Sequence, residues 1–150
     1  MGRPRPKVFL DTSALIAGIA SPKGAARELL RLAEIGLIEI IVSRQVIIEA
    51  DRNIEAKLPE CINDFRAYLE TLSPVLVDDP PVKDVQRFSS LINPDDAPIL
   101  AAASAAESDY LVTWDQKHFM VQGLRAIVRP KVMTPGEFLH EFRKMTEYPL

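Results

Sequence analysis

Short apolar runs separated by stretches with helical spacing recur along the whole chain, and this alternation restricts the possible folds more than any other feature. The strand-like runs are Lys7-Val8-Phe9-Leu10-Asp11, Ile38-Glu39-Ile40-Ile41-Val42, Val75-Leu76-Val77, Tyr110-Leu111-Val112-Thr113 and Arg125-Ala126-Ile127-Val128. Most are continuously apolar, as expected of strands covered by helices on both faces, and strand-helix alternation is the pattern of a parallel sheet. The expected architecture is therefore an α/β fold, a three-layer α/β/α sandwich around a central parallel sheet of about five strands.

The intervening segments carry their own stop and start signals. Ser21-Pro22 reads as an N-cap followed by proline at the first helical position, opening a helix from Lys23 to about Ile35 that stops at Gly36. Ser43 can cap a helix reaching Ala56, and Pro59 opens another to about Leu72 with Ile62, Phe65, Leu69 and Leu72 as its buried stripe. Beyond Asp79-Pro80-Pro81 follow a helix from Val82 to about Leu91, the turn Asn93-Pro94, and an apolar helix from about Asp96 to Ala106. Thr134-Pro135-Gly136-Glu137 has the form of a capping box at the head of the last helix.

A chain of 150 residues without an internal repeat or a long linker is expected to form one domain, residues 1–150. The single cysteine, Cys61, cannot form a disulfide within the chain, and the Cys/His content offers no zinc set, which points to a reducing, cytoplasmic setting. The basic start runs into only three apolar positions before Asp11, too few for a secretory signal core. The longest apolar stretch, Ala97 to Ala106, is about half of the roughly 20 residues that a membrane-spanning helix needs. A net charge of -3 argues against a protein that coats nucleic acid by bulk electrostatics. It does not exclude a nucleic-acid substrate, because metal ions held by carboxylates reverse the local field.

Four acids stand at positions where such an arrangement can be built. Asp11 ends the first strand, and Asp115 lies two residues beyond Thr113 at the end of the fourth; in a parallel sheet, ligands bind outside the carboxyl ends of the strands. Glu49 sits between Ile48 and Ala50 in the most apolar part of its helix, and Asp96 opens the helix that begins Ala97-Pro98-Ile99, where its charge suits the helix dipole. Taken singly, Asp96 reads as an N-cap, with Asp95 competing for that role. Asp11 and Asp115 read equally as turn residues, and Glu49 as an exposed or salt-bridged helix residue. Taken together, they can converge on one edge of the sheet. Carboxylates brought within a few ångströms raise one another's pKa or require a cation, and hard divalent ions such as Mg2+ or Mn2+ are the natural partners of oxygen ligands. Such ions serve phosphoryl chemistry.

Between about Val8 and Phe138 the chain resembles the PIN-domain ribonucleases, which include the toxins of VapBC toxin-antitoxin pairs. The resemblance is carried by Phe9-Leu10-Asp11-Thr12-Ser13, by Ser43 through Glu49, by Asp95-Asp96-Ala97-Pro98-Ile99-Leu100, and by Tyr110-Leu111-Val112-Thr113-Trp114-Asp115 followed by His118-Phe119. It implies a metal-dependent endoribonuclease in which Asp11, Glu49, Asp96 and Asp115 are the catalytic and metal-holding acids. Ser13 and Thr113 then orient those carboxylates or touch substrate, and Asp95 supports Asp96 or caps the helix. It also implies an RNA substrate, a cognate antitoxin partner and a homodimer; an exposed apolar patch on the helix from Pro59 to Leu72 would serve the last of these. Some members carry a further acid soon after the fourth. Here Gln116, Lys117 and His118 intervene, which puts a second metal in doubt and leaves His118 as a phosphate contact or a plain loop residue.

Competing readings differ in identifiable residues. An aspartyl-phosphate phosphatase would place a second Asp where this chain has Ser13. A receiver domain would need paired acids near the first strand, and a flap-type nuclease more helices than 150 residues allow. A catalytically silent PIN-like module binding RNA or protein would be expected to have lost one of the four acids.

Overall fold

The computed structural model describes residues 4–115 and 129–146. Among them, five strands form one parallel sheet: β1 (Lys7–Leu10), β2 (Glu39–Ser43), β3 (Val75–Val77), β4 (Tyr110–Val112) and β5 (Lys131–Met133), in the order β3-β2-β1-β4-β5. The helices are α1 (Thr12–Ala20), α2 (Ala25–Glu34), α3 (Arg44–Lys57), α4 (Ile62–Leu72), α5 (Val82–Ser89), α6 (Ala97–Ala105) and α7 (Pro135–Thr146), with a 3-10 turn at Pro59–Cys61. The α/β expectation holds.

The chain runs outward from β1 through β2 to β3, then crosses back to start β4 on the other side of β1. Parallel crossovers are right-handed, so this reversal places α1 to α4 over one face and α5 and α6 over the other. The packing agrees: α1 lies on α2 and α3, α3 on α4, and α7 on α2, while α5 packs on α6. The reversal also makes the crevice between β1 and β4 the switch point of the sheet. There Phe9 pairs with Leu111 and Leu10 with Val112, so Asp11 and Thr113 emerge side by side.

Burial follows position in the sheet. Val8, Phe9 and Leu10 in β1 and Leu111 and Val112 in β4 are fully buried, whereas edge strand β3 leaves Val75 and Leu76 exposed. Beside β4, Tyr110 meets Phe138 edge-on with ring centroids 5.1 Å apart, and Phe138 stacks on Phe142 at 5.9 Å, which seats α7. Each such buried aromatic side chain stabilises the fold by about 1.5–3 kcal/mol.

The helix signals at Ser43, Gly36 and Thr134 act as their chemistry suggests. The Ser43 hydroxyl accepts from the Val46 amide at 3.3 Å. Gly36, at φ 81, ends α2, with its amide donating to the Ala33 carbonyl at 3.0 Å and that of Leu37 to the Leu32 carbonyl at 2.9 Å. Thr134 and Glu137 exchange hydrogen bonds at 3.1 and 3.2 Å.

Two expectations need correction. Ser21 does not open the second helix. It ends α1, its hydroxyl donates to the Lys23 carbonyl at 2.6 Å, and α2 begins after Gly24, whose φ of 117 breaks the chain direction. In α4 only Phe65 is fully buried; Ile62, Leu69 and Leu72 are partly covered because α4 lies on other helices at the margin of its layer. No large apolar side chain between Pro59 and Leu72 is exposed, so the patch that would have favoured a homodimer there is absent among the described residues. The strand expected at Arg125-Ala126-Ile127-Val128 lies outside the described residues, and the fifth strand described is Lys131–Met133. No helix among the described residues is long and apolar enough to cross a membrane.

Candidate functional site

Asp11 is the best-defined element of the carboxyl edge. Only 4% exposed, it ends β1 and serves as the N-cap of α1. Its Oδ1 accepts from the Ala14 amide at 2.9 Å and from the Ser13 hydroxyl at 2.8 Å, and its Oδ2 accepts from the Thr113 hydroxyl. Burial pushes the Asp11 carboxyl above its ordinary value of 3.8; the bonds from Thr113, Ala14 and Ser13 oppose this, and the charge of Asp115 adds to it.

Thr113 links the two strand ends. Fully buried, it donates to Asp11 and accepts from the Asp115 amide at 2.8 Å. Ser13 makes a parallel bridge, its oxygen accepting from the Trp114 amide at 3.1 Å while its proton goes to Asp11. The loop bearing Asp115 is thereby fastened to the loop bearing Asp11.

Glu49 is half-buried on α3 and reaches the turn after β1. Its Oε2 accepts from the Thr12 hydroxyl and its Oε1 from the Gln45 side-chain amide, both at 2.9 Å. The sequence around it is less enclosed than its apolarity suggests. Val46, Ala50 and Ile54 form the buried face of α3, whereas Ile48 is 41% exposed. Asp79, in the loop after β3, accepts from the Gln45 backbone amide at 3.0 Å and steadies the start of this helix.

Asp96 precedes the first residue of α6 and occupies the N-cap position without a side-chain hydrogen bond to the helix amides. Because α6 returns the chain to the start of β4, its beginning lies at the carboxyl edge, the same edge as Asp11. Asp95 is exposed, with its backbone amide donating to Asn93 Oδ1 at 2.9 Å, and is not the cap. His118 lies outside the described residues.

Asp11 and Asp115 are therefore tied together through Thr113, and Glu49 joins them through Thr12, the residue next to Asp11. Among the described residues no three Asp, Glu, His or Cys side chains form a group that could hold a metal ion. In kind, the donors nonetheless fit a hard divalent cation: they are carboxylates, and Asp11 and Glu49 keep lone pairs. A carboxylate offers about four acceptor sites. Asp11 uses three in the bonds above and Glu49 uses two. A cation would also offset the Asp11–Asp115 repulsion.

Two residues that hold this site were not singled out from the sequence. Gln45 stands four residues before Glu49 on the same helical face, a spacing at which polar side chains meet, so a local signal existed. Thr12 carried no such signal, because its partner is 37 residues away.

A sequence profile described as PIN domain matches residues 7–117, most of the chain and all four acids. The chain belongs to the PIN-domain family. Members of that family are generally nucleases, and this PIN domain shares its fold with several solved structures. PAE2754 from Pyrobaculum aerophilum is 20% identical, with 93% of this chain and 97% of the other covered and a TM-score of 0.58. VapBC2 from Rickettsia felis, solved bound to a DNA fragment from its promoter, gives 16% identity, 84% and 96% coverage and a TM-score of 0.63. DNA-bound VapBC from Salmonella typhimurium gives 18% identity, 87% and 98% coverage and a TM-score of 0.59. At these identities the likeness is one of fold. No curated protein matches the chain.

Proposed function

We propose that this PIN domain is a divalent-metal-dependent endoribonuclease that hydrolyses RNA phosphodiester bonds, with Asp11, Glu49, Asp96 and Asp115 as its working acids. The observation that carries the proposal is Asp11: a carboxylate buried at the switch point of a parallel sheet, held by three hydrogen bonds and subject to the like charge of Asp115. An arrangement that costs stability in this way is the signature of a site built for charge.

By this proposal Asp11, Glu49, Asp96 and Asp115 together would hold Mg2+ or Mn2+. When bound, such an ion supplies activation of water and neutralisation of charge on the phosphoryl oxygens. The chain's part is orientation. Ser13, Ala14 and Thr113 fix the Asp11 carboxylate, Thr12 and Gln45 fix that of Glu49, and Thr113 sets the backbone from which Asp115 projects. Fixed carboxylates limit the reorganisation needed when phosphate charge shifts during displacement. By the same proposal, the protein is a cytoplasmic toxin with a cognate antitoxin, as the two VapBC neighbours suggest, and works as a homodimer.

A second reading has one observation in its favour. The lack of a three-ligand group among the described residues suits a PIN-like module that binds RNA without cutting it. One experiment separates the two: incubation of the purified protein with end-labelled single-stranded RNA and Mn2+ or Mg2+, beside EDTA and Asp11→Asn controls. Cutting lost in both controls establishes the nuclease. RNA binding without cutting establishes the module, and cutting that survives Asp11→Asn removes Asp11 from the mechanism.

A further inference from the structure

Trp114 is the only tryptophan in the chain, and it stands 45% exposed between buried Thr113 and Asp115. Exposure by itself says little, since Ile35, Leu76 and Val82 are more exposed still and scattered surface apolar residues are normal. What sets Trp114 apart is its footing. Its own amide donates to the Ser13 hydroxyl, which donates to Asp11, and the next amide, that of Asp115, donates to Thr113, which also donates to Asp11. The backbone carrying the indole is therefore pinned on both sides by the hydrogen bonds that orient the buried acid.

A flat aromatic surface at this place answers a physical need. Metal ions held by the carboxylates would attract the phosphate at the cut, but the chain as a whole carries a net charge of -3, so ionic contacts alone position the neighbouring nucleotides poorly. Stacking of a base on an aromatic face needs no charge and tolerates any base. Building on the ribonuclease reading, we propose that the Trp114 indole is a stacking platform for one unpaired base of the RNA beside the phosphodiester to be cut. Bases inside a duplex already stack on one another, so the substrate presents a single strand or an open loop at this point.

The single tryptophan makes its own emission the reporter. The Asp11→Asn protein, expected to cut too slowly to consume the oligonucleotide during the measurement, is titrated in Mg2+ with fluorescein-labelled oligouridylate, following tryptophan emission and fluorescein anisotropy together. The expected result is saturable quenching with the same midpoint as the anisotropy change, and much weaker binding of the same strand in a duplex. Adding Trp114→Ala should weaken binding roughly 5- to 150-fold while leaving its salt dependence unchanged, whereas Trp114→Phe should restore most of it. Emission that stays constant while anisotropy reports binding overturns the platform and leaves the ribonuclease reading standing; so does Trp114→Ala binding as tightly as its parent. Should Trp114→Ala fail to fold, the emission titration of the parent still decides. Binding absent by both signals, with no RNA cut by the wild-type protein, overturns both readings.

Discussion

Asp11 and Asp109 flank the same two strands at opposite ends, and their fates differ completely. Asp109 precedes β4 at the amino edge, is exposed, and accepts from the Lys7 amide at 2.8 Å. It lines a hollow of about 400 Å³ with Arg5, Arg129 and Lys131, where water and cations satisfy a carboxylate easily. Asp11 follows β1 at the carboxyl edge, is buried, and has Asp115 for a charged neighbour. Both aspartates bind backbone amides and both fasten the ends of the β1–β4 pair. The lesson is that a strand-end aspartate becomes a candidate for chemistry through desolvation and a like charge, and its place in the strand is insufficient.

The largest test of that contrast is catalytic. Asp11→Asn should reduce metal-dependent RNA cleavage by roughly 100-fold or more, the scale of losing several kcal/mol of charge stabilisation. Asp109→Asn should leave the rate within about twofold, since surface substitutions of this kind rarely change much. Equal losses in single-turnover assays would erase the distinction between the two edges.

Stability sharpens it further. Thr113→Val removes the donor to Asp11 and the acceptor of the Asp115 amide inside the fold, and should cost about 1–3 kcal/mol in urea unfolding. Asp109→Ala, which frees one exposed amide to water, should cost about 0.5 kcal/mol. A Thr113→Val protein as stable as its parent would show that the bridge is dispensable.

The smallest effect expected is in pH dependence. Since the Asp11 pKa is raised on folding, the folded protein binds more protons than the unfolded chain between 3.8 and that raised value. Stability contributed by this group therefore falls as pH rises through the window and is level above it. Asp11→Asn lacks the group, so its stability relative to wild type should climb with pH across that window in thermal melts. A difference independent of pH there would mean that burial does not raise the Asp11 pKa.

Much of this was legible in one dimension. The strands around Phe9, Ile41, Leu76 and Leu111, the helix stop at Gly36 and the helix starts at Ser43 and Thr134 depend on residues within a turn or two of each other, and such patterns survive in a linear reading. Ser21 misled because two adjacent turn signals, Ser21-Pro22 and Gly24, compete, and the outcome depends on Gly24 adopting a positive φ. Ile48 misled because an apolar run in a helix does not say which side faces the sheet.

By itself the sequence determined the α/β alternation, the caps at Ser43 and Thr134, and the presence of acids at Asp11, Glu49, Asp96 and Asp115. Tertiary structure alone decided which of them meet and which lose water. Thr113 reaches Asp11 across 102 residues of chain, and Thr12 reaches Glu49 across 37. Hydrogen bonds of that range exist only once parallel pairing has set β1 beside β4 and packed α3 against α1. Desolvation, which gives Asp11 its character, is a property of everything packed around a group, and no neighbour in the sequence encodes it.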